Sequence, residues 1–133
     1  AAITQFGVTQ NWTLLGQRKD VPVCLKAADV FVQSSDWEGF PIAVVEAMAA
    51  GVPVVATDVA GIGELLKHNQ HGYLSLPGDA EALALGIIQA LENPQQARDM
   101  AHKAEFLAWQ HYNLEAWAEA AESIARKALG SAP

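Results

Sequence analysis

Short continuous apolar runs alternate along the chain with stretches of helical period, and turn residues separate the two. "DVFVQ" (29–33), "PVVAT" (53–57) and "GYLSL" (72–76) are strand-length runs. Continuous rather than alternating hydrophobicity predicts strands buried on both faces, as in a parallel sheet. "NWTLLG" predicts a further short strand, Trp12 to Leu15, closed by Gly16. "VPVCLKAA" (21–28) predicts a helix with Pro22 in its first turn, where a missing N–H costs nothing. "PIAVVEAMAA" (41–50) predicts a second helix, opened by Pro41 and stopped by Gly51. "ELLKH" (64–68) reads as a short helix. So does "AAITQFGVTQ" at the start, but no capping residue precedes it, and the chain is expected to begin inside something longer.

After Gly78 the pattern becomes purely helical. Asp79 is placed to cap "AEALALGIIQALE", which sets Leu83, Ile87 and Leu91 on one stripe. Asn93 and Pro94 end that helix and open the next, with Asn93 as cap and Pro94 at the first helical position. A third helix is predicted from Asn113 to about Leu129. The division implied is an α/β part over residues 1–77 and a helical tail over 78–133. Strands alternating with helices define a parallel sheet covered on both faces. In such sheets ligands bind beyond the carboxyl ends of the strands. Three loops are expected to converge there: Gly16 to Asp20, Ser34 to Phe40, and Thr57 to Gly63.

Composition narrows the classes. In 133 residues, 51% are hydrophobic and 17% charged, which suits one compact domain with a core rather than a disordered segment. The 15 acids outnumber the 8 bases, so the surface has no general attraction for nucleic acid or anionic membrane. The single cysteine, Cys24, excludes an internal disulfide and reads as a small buried hydrophobe. The uncharged stretches around Glu46 extend from Gly39 to Thr57, but Pro41, Gly51 and Pro53 divide them into helix, turn and strand rather than a membrane span. The four histidines show no metal-like convergence. Trp12, Trp109 and Trp117 read as packing anchors. "AGIGEL" (60–65) lacks the third glycine of a dinucleotide fingerprint, which disfavours an oxidoreductase.

Candidate chemistry centres on "SSDWEGFPIAVVEAMAAG" (34–51). A helix starting near Pro41 leaves the N–H groups of Ile42, Ala43 and Val44 unpaired and adds partial positive charge, a setting for phosphate. Gly39 permits close approach of another backbone. Glu46 lies about 7 Å along that helix, on a face shared with Ile42. Its carboxylate matches a vicinal diol such as a ribose, and Glu38, on the other side of the anion site, matches a second hydroxylated group. The plainer readings are a solvated or dipole-favoured Glu46 and an ordinary exposed acid at Glu38.

The run "DVFVQSSDWEGFPIAVVEAMAAGVPVVATDVAGIGELL" resembles the signature region of group 1 glycosyltransferases (glycosyltransferase family 4), retaining enzymes of two Rossmann-like domains. The resemblance rests on Glu38 and Glu46, on Gly39-Phe40-Pro41, and on Glu46-Ala47-Met48-Ala49 followed by Gly51-Val52-Pro53. It implies a Rossmann-like α/β parallel sheet with helices on both faces, truncated at its amino-terminal end and followed by three carboxyl-terminal helices. It implies transfer of a hexose from a nucleotide diphosphate sugar to a glycan, lipid or other acceptor. Glu46 would bind the ribose, and Glu38 the donor sugar, with the catalytic role. The backbone of Gly39, Phe40, Pro41, Ile42 and Ala43 would approach the sugar and diphosphate. Gly16, Gln17 and Arg18 would lie near the base. No metal or other cofactor is expected.

Two departures follow from the same resemblance. The family's Arg and Lys that hold the diphosphate have no counterpart here, and the amino-terminal domain that supplies the acceptor site is absent. The expected piece is therefore inactive alone, cytoplasmic or peripheral to the inner membrane face through its other domain, and prone to self-association along an uncovered edge. The rival reading keeps the fold as a noncatalytic sugar-nucleotide-binding or assembly module.

Overall fold

A computed structural model describes residues 5–113. Its core is a three-stranded parallel sheet in the order β1 (Phe31–Gln33), β2 (Val54–Thr57), β3 (Tyr73–Ser75). Phe31 sits opposite Val54, and Val55 opposite Tyr73. Every residue of β2 is buried, as its unbroken apolar run requires. Val54 and Ala56 enter one hydrophobic cluster and Val55 the other, so β2 feeds both faces of the sheet.

Among the described residues five α-helices cover it: α1 (Val21–Lys26), α2 (Ile42–Ala49), α3 (Ile62–Leu65), α4 (Ala80–Glu92) and α5 (Pro94–His111). One cluster joins Leu25 of α1, Val44, Ala47 and Met48 of α2, and Ile62 and Leu65 of α3. The other lies under α4, where Ala90 meets Val55 and Tyr73. Helix α5 serves both faces: Ala97 and Met100 join the α4 side, Ala104 and Ala108 the α2 side. The predicted α/β parallel sheet, with helices on both faces, is the observed one.

Helix α2 ends as its glycine predicts. Gly51 takes φ of 71°, its N–H reaches Met48 O at 2.9 Å, and the Val52 N–H reaches Ala47 O at 3.1 Å. This paired closure satisfies the last carbonyls and turns the chain directly into β2. Asp79 caps α4 by accepting the Ala82 N–H at 2.9 Å.

Several expectations fail for identifiable reasons. Trp12 to Leu15 form no strand; the Trp12 N–H closes a short 3-10 turn (Thr9–Asn11), and no sheet neighbour faces the segment among the described residues. A strand needs a ladder, and Leu14 is left 84% exposed. Asn93 does not cap α5 with its side chain; its amide instead donates back to Gln89 O at 3.2 Å. The helix expected at Glu64 to His68 starts earlier, at Ile62, because Val59 O accepts the N–H groups of both Ile62 and Gly63. Leu91 falls off the α4 stripe, whose buried positions are Gly86 and Ala90. Trp12 and Trp109 are exposed rather than anchoring; α5 buries a stripe of alanines around Met100, which leaves Trp109 outside. Cys24 is only partly buried. Trp117 and the predicted third helix, beyond Asn113, lie outside the described residues.

Met48 is fully buried at the meeting of α2 with the sheet. Met48→Ala is expected to lower unfolding stability by about 2–5 kcal/mol, read as a shifted urea midpoint with an unchanged slope.

Candidate functional site

The loop after β1 and the loop after β2 meet at the carboxyl edge of the sheet. Thr57, the last residue of β2, donates its hydroxyl to Ser35 O. Gly61 makes the second contact. It takes φ of 85°, and a Cβ there would stand 2.8 Å from Gly39 O and 3.3 Å from Glu38 O. Only glycine permits both the backbone angle and the approach.

Glu38 is built into this junction. The Gln33 side-chain amide donates to its Oε1 at 2.7 Å, and the Ser35 hydroxyl donates to the same oxygen at 2.7 Å. Gln33 also donates to Ser35 Oγ at 2.8 Å. The carboxylate is half-buried and held through one oxygen, while Oε2 accepts no hydrogen bond among the described residues. Strand β1 thus ends in a polar residue that aims the acid, and Thr57 fixes the loop from the neighbouring strand. Gln33, Ser35 and Thr57 were not singled out from sequence. The available signal was a glutamine ending an otherwise apolar strand and directly preceding two serines.

Glu46 is not a core carboxylate. It is exposed, as are Ile42 and Ala43, while Val44, Ala47 and Met48 turn inward. The three outward residues share one face of α2 by their spacing. Pro41 is buried at the entry and Phe40 lies at the surface.

The anion site differs from expectation. The Ile42 N–H donates to Phe40 O at 3.0 Å, and the Val44 N–H donates to Pro41 O at 3.0 Å. Of the three amides expected to be open, only Ala43 lacks an acceptor among the described residues. Tightening of the first turn consumes the other two. The third predicted loop is separate in its bonding. Arg18 forms an ion pair with Asp20, and its guanidinium holds the Asp20 carboxyl below the usual carboxylate range. A Cβ on Gly16 would meet nothing within 4 Å. Gln17 is exposed.

Among the described residues no three His, Cys, Asp or Glu side chains group to hold a metal ion, and no helix is long and apolar enough to cross a membrane.

The chain belongs to the family described as glycosyl transferases group 1, whose model matches residues 1–106. It is 33% identical over 90 residues to an Escherichia coli UDP-Gal:alpha-D-GlcNAc-diphosphoundecaprenol alpha-1,3-galactosyltransferase, covering 68% of this chain and 23% of that protein. It is 34% identical over 101 residues to the N-acetyl-alpha-D-glucosaminyl L-malate synthase of Bacillus anthracis, covering 76% and 26%. Anabaena HepE, solved in complex with UDP-glucose, matches at a TM-score of 0.86 and 33% identity, over 92% of this chain and 34% of that one. Sucrose-phosphate synthase from Thermosynechococcus elongatus matches at a TM-score of 0.91 and 29% identity, over 98% and 33%. The chain thus spans about a quarter to a third of the length of these relatives.

Gly61→Ala forces a Cβ against backbone and is expected to cost about 1–3 kcal/mol of stability. Thr57→Val, nearly isosteric, removes only the donor to Ser35 O and is expected to cost about 0.5–1.5 kcal/mol. Equal midpoints for Thr57→Val and the parent in urea would show that the hydroxyl does not fasten the loop.

Proposed function

We propose that this chain is the donor-binding part of a retaining glycosyltransferase, which moves a hexose from a nucleotide diphosphate sugar to a glycan, lipid or other acceptor. The observation that carries the reading is Glu38: a carboxylate oriented through Oε1 by Gln33 and Ser35, with Oε2 open, at the carboxyl end of β1. Glu38 is the catalytic residue in this reading. Its open oxygen accepts a hydroxyl of the donor sugar and fixes the anomeric carbon relative to the acceptor. Glu46, on the open face of α2, accepts the ribose hydroxyls. The diphosphate lies between them, over Gly39 to Ala43, where the Ala43 N–H and the start of α2 offset the charge that grows on the leaving group. Gly16, Gln17 and Arg18 border the base. HepE, solved with UDP and UDP-glucose, makes uridine donors the first probes.

The partners in this reading are the nucleotide sugar and an amino-terminal domain of the same protein, which brings the acceptor. None of the described lysines or arginines pairs with Glu38 or Glu46. Inactivity of the 133-residue piece alone belongs to this reading, as does a cytoplasmic protein that meets the inner membrane face, if at all, through its other domain. The second reading is a noncatalytic sugar-nucleotide-binding or assembly module of the same fold.

The test is titration of UDP and UDP-glucose into the full-length protein, with a transfer assay beside it. Glu46→Ala is expected to weaken both ligands by about 10- to 100-fold, the loss of hydrogen bonds to a charged acceptor. Glu38→Gln is expected to spare UDP affinity within a few fold while transfer falls by about 100-fold or more. Equal UDP affinity for Glu46→Ala and the parent sinks the ribose role. Binding without transfer by the full-length parent establishes the noncatalytic module.

The exposed Trp12–Leu15 segment and the outer edge of β1, which no strand pairs among the described residues, lead to a further expectation. The isolated 133-residue chain is expected to associate with itself as concentration rises, and Leu14→Lys to reduce this. Light scattering that stays monomeric at millimolar concentration contradicts it.

A further inference from the structure

The turn that leads into β3 is fastened by two imidazoles. His68 Nδ1 accepts the Leu74 N–H at 2.9 Å, and His71 Nδ1 accepts the Lys67 N–H at 3.2 Å. Leu74 lies in β3, the outer strand of the sheet, so His68 covers part of an edge that no other strand pairs among the described residues. The turn itself closes through Asn69, whose φ is 60° and whose N–H donates to Gly72 O at 2.9 Å.

An imidazole accepts through Nδ1 only while that nitrogen is unprotonated; an imidazolium donates from both nitrogens. We propose that residues 67–74 form an acid-labile latch, in which His68 and His71 hold the entry to β3 while neutral and release it when protonated.

The surroundings of His71 favour its neutral ring. Burial lowers the proton affinity of His71 below the ordinary histidine value, and the charges of Lys67 and Lys103 lower it further. His102 faces the same cleft from α5 and is itself within 3.5 Å of Glu105. Around His68 the clefts are lined by Gln89, Asn93 and Gln96, with Tyr73 as the one other titratable group. The Tyr73 ring meets the His68 ring edge-on at 6.4 Å. For His71 the sign follows directly. The unfolded chain takes up its proton first as pH falls, so the stabilisation is complete at neutral pH and is lost below about 6.5.

The release has a route toward the carboxyl edge. Ser75 O, one residue beyond Leu74, accepts the Asp58 N–H at 2.7 Å. Asp58 opens the loop whose Gly61 packs against Gly39. Loosening β3 therefore frees one support of the loop that bears Glu38.

The experiment is hydrogen exchange by mass spectrometry on the full-length protein at pH 7.5 and 5.5, corrected for intrinsic exchange. Peptides covering 67–75 are expected to lose protection by about threefold to tenfold relative to α5, the scale of one net hydrogen bond. In His68→Asn/His71→Asn each amide oxygen replaces Nδ1 as an acceptor that does not titrate, and this pH-dependent loss is expected to disappear. Unchanged relative protection in the parent, or the same loss in the double variant, overturns the latch. If the variant does not fold, nitrogen-15 NMR of the parent's histidines decides. The Nε2–H tautomer at pH 7.5 on both rings, lost together with protection on acidification, supports it, and an Nδ1–H tautomer on either ring overturns it.

Discussion

The structure is organised around β2, which has no exposed side. Val54 to Thr57 sit between two other strands and beneath helices on both faces. Two of its side chains, Val54 and Ala56, join the cluster with α2, and Val55 joins the cluster with α4. Each buried valine contributes about 1.5 kcal/mol or more, and a buried backbone must pair fully, so the strand is fixed in register. Its carboxyl end is therefore a fixed point, and the site is hung from it. The Thr57 hydroxyl reaches across to Ser35, and the next loop places Gly61 against Gly39.

Glu38 illustrates how a rigid sheet orients a carboxylate on the loop beyond it. An exposed acid on a free loop would sample many rotamers, and ordering it on ligand binding would cost about 1–2 kcal/mol. Here Gln33 and Ser35 hold one oxygen in place beforehand. Both donors are neutral, so they orient the carboxylate without cancelling its charge. The free oxygen keeps its full capacity to accept.

What the sequence discloses follows from where the determinants lie. Helix α4 is legible to the residue because its boundaries are local: Asp79 before it, Asn93-Pro94 after it. The three strands are legible because burial on both faces imposes unbroken apolar runs. Trp12 to Leu15 look like a strand by the same rule, but pairing is a property of the neighbour, and a sequence pattern does not supply one. The open amides at α2 were overcounted because the first turn tightened, a choice made by Pro41 and Phe40 geometry rather than residue type. The donors to Glu38 were missed because their meaning depends on the loop folding back, five residues for Gln33 and three for Ser35.

Glu46 shows how much one exposure value alters a reading. In sequence it interrupts an apolar run, and the readings it allows are a diol acceptor or a solvated, dipole-favoured acid. In the structure α2 divides sharply: Val44, Ala47 and Met48 bury, while Ile42, Ala43 and Glu46 face out. Glu46 therefore carries no burial penalty in the absence of ligand, and an acid there costs the fold nothing. Ile42 is the residue with a cost, since it is 63% exposed beside that acid. A surface isoleucine and a surface glutamate on one helical face form an amphipathic strip. Neither contributes to stability as placed, so α2 is held to the sheet by its inward face alone.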